Sequence, residues 1–169
     1  KAGLIGMTHI NARQYLSDRR VLANTRAAPI PSQNGQVIAI GHGWAFALVT
    51  TAGISLKSDP PFDLEREKRE PAWGDPSFRK IRRTATESDI EVSHLHINTS
   101  YIKEDINVML PLARFREFEK EGIIDRLAPT CYSFYGFQMD ATALLAESAP
   151  QMADQMRQEN VEAVLLTPA

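Results

Sequence analysis

The sequence predicts an α/β fold: a single domain with a mostly parallel sheet flanked by helices, preceded by an N-terminal helical arm. Three observations carry this. Ala45-Phe46-Ala47-Leu48-Val49-Thr50 and Val161-Glu162-Ala163-Val164-Leu165-Leu166-Thr167-Pro168-Ala169 are short, apolar, β-branched runs of the kind buried in the middle of a sheet. Helical periodicity appears between such runs, at Leu112, Phe115 and Phe118 and again from Thr142 to Glu159. Strands alternating with helices imply crossover connections and parallel pairing.

In chain order, Thr8 is placed to cap a helix to about residue 20, with Ile10, Tyr15, Leu16 and Arg19 at roughly helical spacing. Ala27 to Gly35 holds Pro29, Pro31 and Asn34-Gly35, which is linker or turn chemistry. The expected division is therefore 1–36 as arm and linker and 37–169 as the α/β domain. Val37 to Ile40 reads as a short strand, interrupted by Gly41-His42-Gly43-Trp44. The buried strand Ala45–Thr50 ends in Thr51-Ala52-Gly53, and Lys57 to Pro61 is a polar loop. Leu64 to Glu70 alternates acids and bases and reads as a solvated face, followed by a turn at Trp73-Gly74-Asp75-Pro76. Phe78 to Arg83 alternates apolar and basic residues, as an edge strand does.

Ile90 to Asn98 reads as an alternating strand and Tyr101 to Met109 as a loop. Pro111 suits the first turn of a helix that Gly122 ends. Ala128 to Phe134 is a further strand, broken by Gly136. In the helix from Thr142 to Glu159, Leu144, Leu145, Met152 and Met156 fall near one face.

Composition narrows the function classes. The 169 residues are 43% hydrophobic, enough for one core, and a net charge of -2 makes no electrostatic case for nucleic acid or for an anionic membrane. No apolar run approaches the ~20 residues that span a bilayer. The opening Lys1-Ala2-Gly3-Leu4-Ile5-Gly6-Met7 is too short and mixed for a secretory signal, and its lack of an initial Met points to processing or a fragment. The single Cys131 excludes an internal disulfide framework and suits a reducing, cytoplasmic setting. Within its strand it reads as a buried, inert thiol, with redox activity the alternative.

Three constellations stand out. On an alternating strand His94, His96 and Asn98 share one face, with Leu95 and Ile97 on the other. That face is either a polar substrate wall or, joined by Asp105, a set of metal ligands; the plain alternative is a solvated strand face. Asp105-Ile106-Asn107 is either a helix entry built on an Asx turn or a pair of groups for an ammonium or amide. Thr50-Thr51-Ala52-Gly53, at the end of a buried strand, offers backbone N–H groups to an anion, with an ordinary turn as the default. It carries neither the Gly-x-Gly-x-x-Gly fingerprint nor the Walker lysine pattern, which argues against a nucleotide. Spacing alone completes no catalytic set.

A longer pattern is more specific. Ala47-Leu48-Val49-Thr50-Thr51-Ala52-Gly53-Ile54, Lys57-Ser58-Asp59 and Pro61-Phe62 are followed by Ser77-Phe78-Arg79-Lys80-Ile81, Val92-Ser93-His94 and Asp105-Ile106-Asn107. Then come Leu110-Pro111-Leu112-Ala113-Arg114-Phe115, Glu121-Gly122-Ile123-Ile124, Ala128-Pro129 and the final Val161 to Ala169. In this order, over roughly residues 45 to 169, they resemble the selenoprotein B family of glycine, sarcosine, betaine and D-proline reductases, its smaller D-proline-reductase-like members above all.

The resemblance implies a cytoplasmic reductase that cleaves a C–N or related carbon–heteroatom bond of a small amino acid or amine. A selenocysteine or cysteine attacks, and a second cysteine of a Sec/Cys-x-x-Cys motif resolves the adduct. A pyruvoyl group on a partner chain activates the substrate amine in the amino-acid reductases. The nucleophile follows the strand ending in Leu-Thr-Pro-Ala, so here it is expected just after Ala169, and no cofactor is expected within the chain itself. The sequence is on this reading C-terminally incomplete. A selenocysteine codon read as a stop is one origin, and proteolysis or a disordered remainder are others. His94, His96 and Asp105 are then the expected catalytic residues, for orientation and proton delivery, and Thr50, Thr51, Asn98 and Asn107 the expected substrate-binding ones. No bound metal is expected. A partner reductase subunit or a second copy of the chain is expected to cover apolar surface. Two alternatives stay open: a non-catalytic binding subunit of a multi-chain complex, and a metal-dependent enzyme using His94, His96 and Asp105.

Overall fold

A computed structural model describes residues 3–6 and 44–169. The expected helix at 8–20, the linker, the strand at 37–40 and Gly41-His42-Gly43 lie outside the described residues.

Strands β1 (Gly3–Gly6), β2 (Ala45–Thr50), β4 (Phe78–Arg82), β6 (Arg126–Leu127), β7 (Thr130–Phe134) and β8 (Ala163–Thr167) form one sheet in the order β1-β8-β2-β7-β4, with β6 also paired to β2. Every pairing is parallel except that of β4 with β7. The mostly parallel sheet expected from sequence is present, with an antiparallel edge. Gly3–Gly6, read from sequence only as a non-signal start, pairs in parallel with β8. A separate two-stranded antiparallel sheet joins β3 (Ile54–Leu56) to β5 (Ile90–Val92).

The unbroken apolar character of β2 and β8 follows from cover on both faces. Side chains alternate along a strand. Phe46 and Leu48 of β2, Cys131 of β7 and Ala163 and Leu165 of β8 join the side covered by helix α3 (Leu112–Lys120) through Leu112, Phe115 and Phe118. Ala47, Val49, Tyr132 and Val164 join the other side, against Met152 of helix α4 (Ala149–Gln158). Leu145 points out to solvent, and the residues before α4 form a π turn, Leu144–Ser148. Pro150 follows this turn and has no N–H to continue an ordinary ladder backward, so the wider turn precedes it. On β4, Ile81 is fully buried while Lys80 and Arg82 line the outside, which charges an otherwise open sheet edge; Arg79 turns inward to the Pro60 and Pro61 carbonyls.

Two short helices were not legible. Helix α1 (Leu64–Arg69) lies where a solvated face is expected. Asp63 caps it by accepting from Arg66 N at 2.9 Å, and Asp63 N donates in turn to the Asp75 carboxylate at 3.0 Å. Helix α2 (Ser100–Glu104) begins where a loop is expected. Among the described residues no helix is long and apolar enough to cross a membrane.

Candidate active site

Parallel strands bring their carboxyl ends to one edge, and β2, β7 and β8 end together: Thr50 lies beside Ser133 on one side and Thr167 on the other. Thr51 joins these ends. Its N–H donates to Thr167 O at 3.2 Å, its carbonyl accepts from Gly136 N at 2.9 Å, and its Oγ1 accepts from Ala169 N at 2.7 Å. A Cβ on Gly136 would lie 2.8 Å from the Thr51 Cβ, so this close approach requires glycine. Thr167 Oγ1 reaches Val49 O at 3.2 Å and also Met109 O, which ties the Ile106–Val108 turn region to the end of β8.

Of the two readings of the Thr50–Gly53 turn, this bonding fits the default, an ordinary turn. The N–H groups of Thr51, Ala52 and Gly53 are taken by Thr167 O, Thr50 Oγ1 and Phe134 O, so this turn is no open anion cradle. Thr50 is fully buried, with its hydroxyl turned back on its own turn.

The histidines lie beside the same edge. Gly53 sits at φ +64° and closes the β3–β5 pairing by accepting from Ser93 N at 2.9 Å. There the strand ends. Ile90–Val92 is paired, and residues 93–99 form a loop, so His94, His96 and Asn98 do not share a strand face as the alternation predicts. They are ordered by side-chain contacts instead. The His94 ring lies on Tyr135, centroids 4.5 Å apart, and the His96 ring on Phe137, at 4.3 Å. Their centroids are 5.9 Å apart, and His96 N donates to His94 Nδ1 at 3.1 Å. Burial, reinforced by the neighbouring His96 against a smaller opposing pull from Glu67, pushes the His94 pKa down to about 4. His94 is therefore neutral near pH 7, and with Nδ1 accepting, its ring proton is on Nε2.

His96 differs. Its Nε2 lies 2.7 Å from Glu67 Oε1. The Glu67 side chain is 3% exposed and that of His96 48%, so a hidden carboxylate holds a ring that solvent reaches. Tyr135 Oη accepts from Leu95 N at 3.3 Å. Burial, and then hydrogen bonding with Glu67, pushes the Tyr135 phenol well above its usual range, which keeps it protonated. Glu67 and Tyr135 were missed from sequence. Glu67 sits inside an alternating charge run, and nothing local marks it as the partner of a residue 29 positions on.

The other expected residues serve as caps. Asn98 Oδ1 accepts from Ser100 N at 3.0 Å and from Ser100 Oγ at 2.8 Å at the start of α2. Asp105 Oδ1 accepts from Asn107 N at 2.9 Å and from Asn107 Nδ2 at 2.7 Å, and Asn107 Oδ1 caps α3 by accepting from Ala113 N at 2.9 Å. Among the described residues no group of three or more His, Cys, Asp or Glu side chains converges to hold a metal, so His94, His96 and Asp105 do not form the ligand set that the metal alternative needs. Cys131 is fully buried, and burial pushes its thiol up to about 12, far from a reactive thiolate.

What the edge offers chemically is a neutral histidine held as an N–H donor and a second histidine backed by a buried carboxylate. Both lie close to the carboxyl end of a central strand, where open α/β sheets place their ligands.

Comparison with known proteins adds an independent finding. The family described as "Glycine/sarcosine/betaine reductase selenoprotein B" matches residues 10–169. The chain is 40% identical over 121 residues to the D-proline reductase subunit gamma of Acetoanaerobium sticklandii, an alignment that takes in 72% of this chain and 47% of that protein. It thus spans about half the length of that relative. No solved structure matches.

Proposed function

This chain belongs to the glycine/sarcosine/betaine reductase selenoprotein B family, and from that premise we propose that it forms one wall of a site for reductive cleavage of a C–N bond, or a related carbon–heteroatom bond, in a small amino acid or amine. Such cleavage adds two electrons and two protons across the bond. The electrons come from a thiol or selenol pair that closes to a disulfide or selenenylsulfide, and the amine leaves with one of the protons. In the full-length protein the nucleophile is a selenocysteine or cysteine directly after Ala169, next to the edge that Thr51 and Thr167 hold.

The observation that carries this reading is a juxtaposition. The end of β8, fixed through Thr51 and Thr167, and the His94–His96–Glu67–Tyr135 group lie on loops that meet along one sheet edge: Thr51 O bonds Gly136 N, and Ala52 bridges to Tyr135. His96 delivers a proton to the departing amine and His94 orients the substrate by donating from Nε2. Asp105, Asn98 and Asn107 act on the site through the loops they cap, and Thr51 through the backbone it positions. A pyruvoyl group on a partner chain would supply carbonyl activation of the amine; this chain's part is to hold the substrate and move the proton, from a side where His96 is half exposed.

The test is the intact mass of the native protein from its own host, before and after alkylation of thiols and selenols, followed by an assay of D-proline, glycine, sarcosine and betaine with a dithiol donor. The expected result is a mass above 18.9 kDa, an alkylated Sec or Cys directly after Ala169, and dithiol oxidation that depends on one of these substrates. Modification confined to Cys131 after unfolding, with no substrate-dependent dithiol oxidation, overturns the reading.

A further inference from the structure

Glu67 is the side chain that neither the motif pattern nor the proposed mechanism calls for. It projects from α1, whose start is fixed by the Asp63 cap and by the bond from Asp63 N to Asp75. A carboxylate this deeply buried needs a partner, since an uncompensated charge away from water is strongly destabilising. The other glutamates of α1 and its end stay in solvent beside basic neighbours: Glu65 pairs with Lys68 and Glu70 with Arg66. Glu67 instead turns inward, to His96 Nε2.

We propose that Glu67 is the positioning residue for proton transfer at this edge: it holds His96 with Nε2–H inward, so that the second ring nitrogen, Nδ1, is the one that serves the substrate. The proposal rests on the reductase reading above. Three features beyond the hydrogen bond support it. The His96 ring is braced against Phe137 at 4.3 Å, which limits its rotation. Nδ1 has no hydrogen-bond partner among the described residues, on a side chain that solvent reaches. The titratable groups facing His96 have distinct states: Glu67 from α1 supplies the negative charge, His94 from the same loop is neutral, and Tyr135 from the end of β7 is a protonated phenol. Glu67 also hydrogen-bonds the Tyr135 phenol, and His96 is the one of its neighbours that can take up a second ring proton beside it.

The proton balance is simple. In the charged ring both nitrogens carry hydrogen, Nε2–H bonded to Glu67. As the C–N bond breaks, Nδ1 gives its proton to the leaving nitrogen, the ring becomes the neutral Nε2–H tautomer that Glu67 already holds, and solvent restores the proton. No ring flip is needed between turnovers. This is the general logic of a carboxylate that fixes a histidine's tautomer without itself taking the proton.

The experiment uses the full-length native protein with its partner subunits, and the variants Glu67→Gln, His96→Gln and the double variant. Glu67→Gln is isosteric and removes only the charge, and thermal melts check that it folds. Two readouts are taken. The first is kcat, KM and the pH–rate profile with the four amines named above and dithiothreitol. The second is the set of His96 ring 15N signals, which report the tautomer without turnover. The expected result for Glu67→Gln is a fall in kcat of about 10–100-fold with KM within about twofold, a moved limb of the pH profile, and a mixture of His96 tautomers where the parent shows Nε2–H. The double variant should be no worse than His96→Gln alone. An unchanged pH profile, an unchanged His96 tautomer, or a further loss from Glu67→Gln in the His96→Gln background each overturns the proposal. If the parent protein turns over none of the amines, the reductase reading has failed, and the ring signals alone decide whether Glu67 sets the tautomer.

Discussion

Replacing Gly53 by alanine puts a methyl group where the backbone is left-handed and the neighbouring chain leaves no space. Gly53 and Gly122 share nearly the same conformation, φ +64° and +71°. A Cβ at Gly122 would meet nothing within 4 Å, whereas at Gly53 it would fall inside the contact distance of the Ser93 carbonyl and 3.2 Å from Tyr135 Cδ2. Gly122→Ala thus measures left-handed strain alone, about 1–2 kcal/mol, offset by about 0.4–1 kcal/mol because alanine also restricts the unfolded chain. Gly53→Ala adds displacement of Ser93, which strains the bonds Gly53 N to Phe134 O and Ser93 N to Gly53 O. At about 1 kcal/mol each, these bring the expected loss to about 3 kcal/mol, against about 1 kcal/mol for Gly122→Ala. Urea unfolding at 25 °C reads both, and the His94 and His96 ring signals should move in Gly53→Ala only. Two variants equal to within ~0.5 kcal/mol, the ordinary scatter of neutral substitutions, would falsify the claim that Ser93 and the histidine loop are packed against Gly53.

Three further outcomes follow from the same contacts. His94 is neutral when folded down to about pH 4 but takes a proton near 6.5 when unfolded. Between those values the unfolded chain binds more protons, so stability is full above pH 6.5 and falls toward pH 4; urea midpoints at pH 7 and pH 5 should show the drop, and His94→Phe should flatten it. Cys131, with its thiol pushed up to about 12, should resist iodoacetamide at pH 8 in the folded protein and react fully in denaturant, read by intact mass. Thr167→Val removes the hydroxyl that reaches Val49 O and Met109 O, at a cost of about 1 kcal/mol, and should speed amide hydrogen exchange in the Ile106–Val108 turn.

The central sheet was legible because β2 and β8 are apolar along their whole length, and only strands covered on both faces are. The edge placement of β4 was legible from its alternating basic residues. The histidine loop was not. Val92-Ser93-His94-Leu95-His96-Ile97 alternates like a strand, but pairing stops at Ser93, where Gly53 turns left-handed and β3 has no further residue to offer. Alternation reports a pattern of polarity, whereas a strand also needs a partner. Asp105 and Asn107 were singled out with both roles open, and the capping role is the one their bonds fill. Glu67 was invisible for a different reason. A buried carboxylate and a surface one look alike in a charge run, and what separates them is the His96 ring brought over it by the fold.

Thr51 has a structural consequence. Its amide and hydroxyl fasten the end of β8, at Thr167 and Ala169, and its carbonyl fastens Gly136 after β7. The backbone at Ala169 is therefore tied to more than its own strand. One residue separates it from Gly136, and one step further lies Phe137, the ring that backs His96. Thr51 is thus the midpoint between the end of β8 and the loop whose Phe137 ring backs His96.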